Sequence, residues 1–328
     1  MSRSRERRRA VRTPAPAADG ATVERVNALN VALMLGTAAV AWVVPFELLL
    51  ASYAVLGPLH YLTEISWLHD RGYFATRRDA AAIFAVLGVL AFLTRFTELG
   101  LWDGWVVLAF ALAAAFAFGE SVRSMLALAL VAAVACFALT KWSAAWVFLI
   151  VLLPTVIHVY VFTALFILEG SVRNHSPWGY VSFAVFLVCG VGLLLIQPPA
   201  GHYAVSPRTA ALATEFGSVL EQLGARTDAV PDWDRLAAIG RFLGFIYTYH
   251  YLNWFSKTGI IRWHEVSGLR LGSIAAVYAA SLALYAYDYR VGLIALGFLS
   301  LLHVLLEFPL DLRTIAGLGG RAMSALRS

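Results

Sequence analysis

The chain has 328 residues, of which 60% are hydrophobic and only 14% are charged. A typical soluble domain is about 45–50% apolar and about 25% charged, so this composition excludes a soluble globular protein. The formal net charge of +5 comes largely from the first nine residues. Because an apolar segment follows them, we expect a basic tail near anionic lipid and no nucleic-acid partner.

The apolar residues occur in long runs, many of them near the length of about 20 residues that a helix needs to cross a bilayer. They predict an all-α fold, a polytopic transmembrane helical bundle with about ten spans. The predicted spans are residues 25–44, 46–69, 80–98, 101–118, 122–140, 144–168, 178–197, 236–257, 268–287 and 290–311. We expect residues 1–24 to form a disordered cytoplasmic tail, 25–313 a single transmembrane domain, and 314–328 a second cytoplasmic tail.

Positive charge in alternate loops predicts the orientation of the bundle. The loops on one side hold Arg71, Arg77, Arg78, Arg123, Arg173, Lys257, Arg262 and Arg270. Fewer basic residues lie in the loops of the other side. The bias predicts that both termini are inside, and the Ala- and Arg-rich composition indicates a multi-pass protein of a bacterial inner membrane.

A long loop separates the seventh and eighth predicted spans, from Gln197 to about Asp234. Within it, apolar residues recur at helical spacing: Leu212, Phe216, Val219, Leu220 and Leu223. The spacing predicts an amphipathic helix at about residues 207–225, lying on the outer face of the bundle. Such a helix is either a lid over a substrate entrance or a cover for the bundle, and the sequence leaves both open.

Six ionisable residues lie inside predicted spans: His60, Glu64, His158, His250, His303 and Glu307. Four of them form two His-x-x-x-Glu pairs, and on a helix this spacing places both side chains on one face. Ionisable groups inside a membrane are costly, so they usually face the protein interior and have a function. We therefore expect these six side chains to face the inside of the bundle.

The four histidines share a direction and a depth in the predicted topology. They lie on the second, sixth, eighth and tenth spans, which all run from outside to inside. At about 1.5 Å per residue, each lies about 10–17 Å from the inner boundary, with the glutamates one turn closer to it. The sequence therefore predicts that four imidazoles and two carboxylates converge on one buried site.

These ligand types predict a metal site. Imidazole suits iron, copper and zinc, and helix bundles build di-iron sites from inward-facing Glu and His side chains. The expected cofactor is iron, as one or two ions, with zinc as the alternative. His264, in the loop after the eighth span, is a further candidate ligand. One metal on three or four histidines, with the glutamates as outer hydrogen-bond partners, stays open. A packing or proton-relay role for these histidines and glutamates also stays open.

A second set of candidates lies in the aromatic and polar stretch of residues 247–257. Tyr249 and Asn253 are candidate catalytic residues, because they can line a cavity and hydrogen-bond a ligand, a substrate or an oxygen species. Tyr and Trp concentrate at membrane interfaces, so Trp254 and Trp263 are interpreted as interface residues.

The layout resembles the Brp/Blh family of integral-membrane carotene dioxygenases, which are all-helical and carry their metal on histidines spread over several helices. The similarity is carried by His60, His158, His250 and His303, and by the aromatic run from Tyr249-His250 to Trp263-His264. The family has a small-residue, Asp-containing motif around its first histidine, and Gly57-Pro58-Leu59-His60-Tyr61 stands here instead. The resemblance implies an iron-dependent oxygenase that acts on a lipophilic molecule, and the departure leaves the substrate open.

Four functions remain open at this stage. The first is a membrane non-haem iron oxygenase or oxidase whose lipophilic substrate arrives from the bilayer. The second is a zinc-dependent intramembrane hydrolase of lipid amides or esters, with Glu64 or Glu307 as the base. The third is electron transfer through b-type haem. The fourth is a proton-coupled transporter with a His/Glu relay, for which Pro58 and Pro154 are candidate helix breaks. The oligomeric state is open in all four.

Overall fold

The fold is described from a computed structural model, for residues 19–71, 78–96, 104–119, 122–139, 148–199, 201–213 and 233–325. These residues form helices and short connections, and no strand occurs among them. The predicted all-α class is therefore confirmed for the described part of the chain.

The helices of the described segments are, in chain order, α1 (Gly20–Val43), α2 (Pro45–Arg71), α3 (Arg78–Phe96), α4 (Gly104–Phe118), α5 (Val122–Leu139), a π-helix (Phe148–Phe162), α6 (Thr163–Asn174), α7 (Pro177–Leu195), α8 (Pro207–Ala213), α9 (Trp233–Ser256), α10 (Thr258–Ile261), α11 (Gly268–Tyr287) and α12 (Tyr289–Ala325). Each of the ten predicted spans overlaps one of the longer helices.

Six of the described helices are long and apolar enough to cross a membrane. They are α1, α2, residues Leu152–Asn174, α7, α11 and residues Tyr289–Arg321 of α12. Helix α4 and residues Arg123–Ala135 of α5 are shorter apolar helices. The chain is thus a helical membrane protein, whereas ten spans, the inward termini and an inner-membrane location stay predictions.

Helix α9 has too many polar residues to count among the six, although it is deeply enclosed by the described helices. Residues 236–251 are all buried, and α9 packs against α1, α2 and α7. Because protein and not lipid surrounds this helix, its side chains need not be apolar. A polar helix at the centre is well placed to carry a functional site.

Arg241 of α9 illustrates how the centre accommodates a charge. Its side chain is completely buried, and Nε and Nη2 donate to the carbonyl oxygens of Leu193 and Ile196 at 3.4 and 3.3 Å. Its guanidinium carbon also lies 5.0 Å from the ring centroid of Trp42. The arginine thereby satisfies carbonyls at the C-terminal end of α7, which lack partners within their own helix.

Several predicted boundaries differ from the structure. Helix α12 continues through Pro309 to Ala325, so the segment predicted as a tail from residue 314 is helical as far as it is described. Helix α1 begins at Gly20, where the Asp19 side chain accepts a hydrogen bond from the Thr22 amide. Residues 1–18, and residues 214–225 of the predicted amphipathic helix, lie outside the described residues.

Neither of the two prolines that were predicted as helix breaks ends the helix in which it lies. Helix α2 is continuous through Pro58, and Pro154 lies inside the π-helix. A π-helix bonds each amide to the carbonyl five residues earlier, and this wider geometry is frequent at functional sites. His158 lies in this π-helix, one turn after Pro154.

Candidate metal centre

Four helical segments bring the six predicted ionisable residues together at the centre of the bundle. Helix α2 supplies His60 and Glu64, the π-helix His158, α9 His250, and α12 His303 and Glu307. All six side chains are buried, with between 1% and 8% of their surface exposed. The ring centroids of His60, His158, His250 and His303 lie 4.7–5.4 Å from their neighbours in the cluster.

A first group of ligand atoms belongs to His60, His250 and His303, and these atoms lie within 4.8 Å of one another. The Nε2 atoms of His60 and His250 are 3.0 Å apart, and Glu64 Oε2 is 2.9 Å from His60 Nε2. Two imidazole nitrogens that bind one ion at about 2.0–2.1 Å are separated by about 3 Å when their bonds are roughly perpendicular. The spacing of these nitrogens therefore fits ligands of a single ion.

A second group consists of His158, Glu307 and Asp311, whose ligand atoms also lie within 4.8 Å of one another. His158 Nε2 is 3.6 Å from Glu307 Oε2. The His158 ring lies 5.2 Å from the rings of both His250 and His303. The two groups are therefore adjacent, as two metal ions in one centre require.

Asp311, the last residue of the tenth predicted span, is not among the candidate ligands that the sequence predicts. Its side chain is 1% exposed, so it belongs to the interior. A signal was present, because His303, Glu307 and Asp311 are four residues apart in succession and such residues share one helix face. The row of candidate ligands on one face of α12 therefore extends one turn further than the sequence predicts.

Many polar atoms of the cluster have no hydrogen-bond partner among the described residues. They are His60 Nδ1, Glu64 Oε2, both ring nitrogens of His158, His303 Nδ1, Glu307 Oε2 and both carboxylate oxygens of Asp311. Glu64 Oε2 and Glu307 Oε2 nevertheless lie at ion-pair distance from ring nitrogens of the cluster, at 2.9 Å from His60 Nε2 and 3.6 Å from His158 Nε2. A buried polar atom without a partner costs about 1–3 kcal/mol, and each such atom in a native protein requires an explanation. Metal ions would account for the carboxylate oxygens and for one ring nitrogen of His158, because these atoms can act as ligands. His60 Nδ1 is not the nitrogen that faces His250, so it would need a separate partner.

The rings of the first group are held by neighbouring side chains. Thr163 Oγ1 lies 2.8 Å from His250 Nδ1, which leaves Nε2 of that ring directed at His60. The ring of Tyr61 stacks on His303 with centroids 4.4 Å apart, and its hydroxyl lies 2.8 Å from that of Tyr251. Outer contacts of this kind orient metal-binding histidines and raise their basicity.

Trp254 also belongs to the side chains that contact the histidine rings of the first group, so its interpretation as a membrane-interface residue is wrong. It is buried, its ring lies edge-on to His60 at 5.6 Å, and its Nε1 donates to Thr63 Oγ1 at 3.0 Å. Trp263 is only partly buried and donates to Thr258 Oγ1 at 2.9 Å. Sequence composition could not separate the two tryptophans, because Trp254 lies on the inward face of α9 and Trp263 lies in the turn that follows α10.

Of the predicted site residues His264 and Asn253, the structure places only Asn253 beside the candidate centre. His264 is exposed beside Trp263 and belongs to neither group of ligand atoms, so the structure does not place this predicted ligand in the centre. Asn253 lines a cavity of about 160 Å³ next to the histidines. The residues that line the cavity are His60, Glu64, Trp67, Thr163, Phe166, His250, Asn253, Trp254, Lys257, Ile261, Glu307 and Leu310.

Tyr249, the other predicted catalytic residue, faces away from the histidines. Its hydroxyl donates to Asn30 Oδ1 of α1 at 3.0 Å, and its ring packs against Phe186 and Phe245. Adjacent helix residues point about 100° apart, so the neighbour of a ligand such as His250 need not share its face. The structure therefore gives Tyr249 a role in packing α9 against α1 and α7.

We expect Tyr249→Phe to leave metal content unchanged and to lower the thermal midpoint of the protein. The substitution removes one buried hydrogen bond, which contributes about 1 kcal/mol, and leaves Asn30 with one partner fewer. Metal analysis and thermal unfolding of the purified variant measure the two effects. Loss of metal at an unchanged thermal midpoint would contradict the packing role.

Comparison of the chain with protein-family models, curated proteins and solved structures found no match.

Proposed function

We propose that this chain is an integral-membrane metalloenzyme that binds two metal ions, and that it is a non-haem iron oxygenase or oxidase of a lipophilic substrate. The observation that carries the proposal is the convergence of four histidines and three carboxylates, buried and largely without other partners. Three carboxylates are available because Asp311 joins Glu64 and Glu307. Imidazole and carboxylate together are the ligands of di-iron centres in helix bundles.

The ligand sets favour two ions over one. One ion would take the nitrogens of His60, His250 and His303, and the other would take His158 with Glu307 and Asp311. The Glu64 and Glu307 carboxyl groups are close enough to interact with each other and with Asp311. If two metal ions bind, all three groups can be ionised carboxylate ligands, and the two ions would compensate their three negative charges, which a single divalent ion would do only in part.

The chain itself supplies binding, orientation and exclusion of water. Iron bound here would activate dioxygen, which is reduced while the substrate is oxidised. Thr163 orients His250, and the Tyr61 ring orients His303. His60 and His250 line the cavity, so a substrate in it would be next to the group that these residues would hold. The cavity walls of Trp67, Phe166 and Leu310 provide an apolar environment for a lipophilic molecule.

The geometry is less favourable for two of the alternatives. The 3.0 Å between His60 and His250 leaves no room for a haem plane between their nitrogens. A transporter of the broken-helix type would be expected to interrupt α2 near the midplane, yet α2 is continuous through Pro58. The zinc hydrolase uses the same ligands with Glu64 or Glu307 as the base, so metal identity separates it from the oxygenase.

Metal analysis of the detergent-purified protein, combined with its absorption spectrum and oxygen uptake, tests the proposal. We expect about two iron ions per chain, no Soret band, and oxygen consumption when lipid extract and a reductant are supplied. The resemblance to the Brp/Blh family implies an iron-dependent oxygenase of a lipophilic molecule, which agrees with the expected metal and oxygen uptake and says nothing about the number of ions. Zinc without oxygen uptake would establish the hydrolase instead. Failure to bind stoichiometric metal after reconstitution would overturn the metalloenzyme.

A further inference from the structure

The cavity beside the metal centre has a basic residue at its far end. Lys257, the first residue after α9, lines it together with His250 and Glu307. Lys257 follows His250 by seven residues, so at about 1.5 Å per residue it lies about 10 Å further along the helix axis. The cavity therefore extends from the metal ligands to a lysine.

Lys257 is half-buried, and its ammonium group has no ion-pair or hydrogen-bond partner in the described part of the chain. Burial lowers the pKa of Lys257 to about 8, so the side chain is still mostly charged at neutral pH. A cation in a confined, mainly apolar place is stabilised strongly by an anion beside it. The lysine is therefore suited to bind an acidic group of a ligand.

The rim next to Lys257 carries a second cation. Arg71 Nη2 donates to the Ile261 carbonyl at 3.4 Å, and its guanidinium carbon lies 5.6 Å from the ring centroid of Trp67. Trp67 Nε1 donates to the same carbonyl at 3.1 Å. Both Trp67 and Ile261 line the cavity, so Arg71 adds positive potential at its mouth.

The wall between the two ends is mainly apolar, with Thr163 and Asn253 as its uncharged polar residues. It is formed by Trp67, Phe166, Trp254, Ile261 and Leu310. The cavity thus offers a lysine at one end, a mainly apolar wall, and the candidate metal ligands at the other end. An occupant that matches all three has an acidic group, an apolar chain, and a reactive carbon near the metal ligands. A neutral lipid would leave the ammonium of Lys257 without a partner, and a site with an unpaired polar group discriminates against such a ligand.

We propose that the cavity binds a single-chain acidic amphiphile, with the acidic head group on Lys257 and the apolar chain directed toward the metal ligands. A fatty-acid carboxylate and the phosphate of a lysophospholipid share this chemistry. The proposal rests on the proposed function only in taking the metal centre as the place of reaction.

Photo-crosslinking tests the proposal on the full-length, metal-loaded protein in phosphatidylcholine nanodiscs. The probes are diazirine-bearing palmitic acid, the fatty alcohol of the same length, and a lysophosphatidic acid with the same chain. Mass spectrometry maps the labels to peptides that contain Trp67, Phe166, Ile261 or Leu310. We expect an acidic probe to label these peptides about 10-fold more than the alcohol, which corresponds to about 1.4 kcal/mol. The stronger of the two acidic probes identifies the head group.

Two substitutions of the lysine serve as a matched pair. Lys257→Met keeps the length of the side chain but removes its charge, and it is expected to abolish the preference for the acidic probes. Lys257→Arg keeps the charge and is expected to retain most of the preference. Equal labelling by acid and alcohol in the wild-type protein would overturn the proposal, as would labelling confined to peptides outside the cavity. An unchanged preference in Lys257→Met would overturn the role of the lysine.

Metal content measured on the same samples separates this inference from the proposed function. Lys257→Met is expected to keep its metal, because the lysine is not among the candidate ligands. Acid-selective labelling of a protein that binds no metal would overturn the metalloenzyme and leave the acidic-lipid cavity standing. Stoichiometric metal without acid-selective labelling would overturn the acidic-lipid cavity and leave the metalloenzyme standing.

Discussion

If the proposed metal centre exists, replacement of His250 by Ala is expected to remove at least one of its two proposed metal ions and to abolish the proposed metal-dependent activity. His250 Nε2 lies 3.0 Å from His60 Nε2 in the first ligand group, so the substitution leaves two of three nitrogens. Loss of an outer hydrogen bond to a ligand costs about 10–100-fold in metal affinity, and loss of the ligand itself is expected to exceed that range. Metal per chain and the metal-dependent absorption are the measurements.

His264→Ala is the matched control, since it removes an exposed histidine that belongs to neither group. We expect it to retain the metal content and the spectrum of the wild-type protein. Size-exclusion profiles in detergent identify variants that fail to fold. A well-folded His250→Ala protein with full metal content would contradict the assignment of the first group, and metal loss in His264→Ala would show that the centre extends to the loop after α10.

Asp311→Asn is expected to lower metal content from about two ions to about one, because it removes a carboxylate from the second group while the first stays complete. The expected effect on stability has opposite signs with and without metal. In the chelated protein the variant removes a buried carboxylate that has no hydrogen-bond partner among the described residues, so its thermal midpoint should rise. In the metal-loaded protein the midpoint should fall, because binding of the ion to the folded state is weakened.

Asp288→Asn is the control for this variant. Asp288 precedes α12 and accepts a hydrogen bond from the Val291 amide, a position at which Asn serves about as well as Asp. Neither metal content nor the thermal midpoint should change. If Asp311→Asn shifts the midpoint in the same direction with and without chelator, and retains two ions, then Asp311 is a structural residue and not a ligand.

The helical class and most of the site were predictable from the sequence because both depend on local spacing. Long apolar runs predict helices, and a His-x-x-x-Glu spacing fixes two side chains on one face whatever the rest of the chain does. His60, His158, His250 and His303 could be grouped because each lies at a similar distance from the end of its span. The structure brings all four together with Glu64 and Glu307.

Two of the errors fall where rotation about a helix axis, and not position along it, decides the outcome. Tyr249, adjacent to His250, packs toward α1, whereas Trp254 turns inward to His60. Asp311 appeared to be a boundary residue because α12 was expected to end there, but α12 continues to Ala325 and the aspartate is interior. Neighbouring helices determine these rotations, and one sequence does not contain their positions explicitly.

The sequence by itself thus determined that this is a helical membrane protein with intramembrane histidines and carboxylates, since hydropathy and i,i+4 spacing are properties of the chain alone. Only the tertiary structure decided which candidate ligand atoms meet, how they divide into two groups, and that Lys257 lines the same cavity as four of the candidate ligands. The physical reason is that ligand geometry depends on how α2, the π-helix, α9 and α12 are packed and rotated against one another. That packing is set by contacts between residues far apart in the chain.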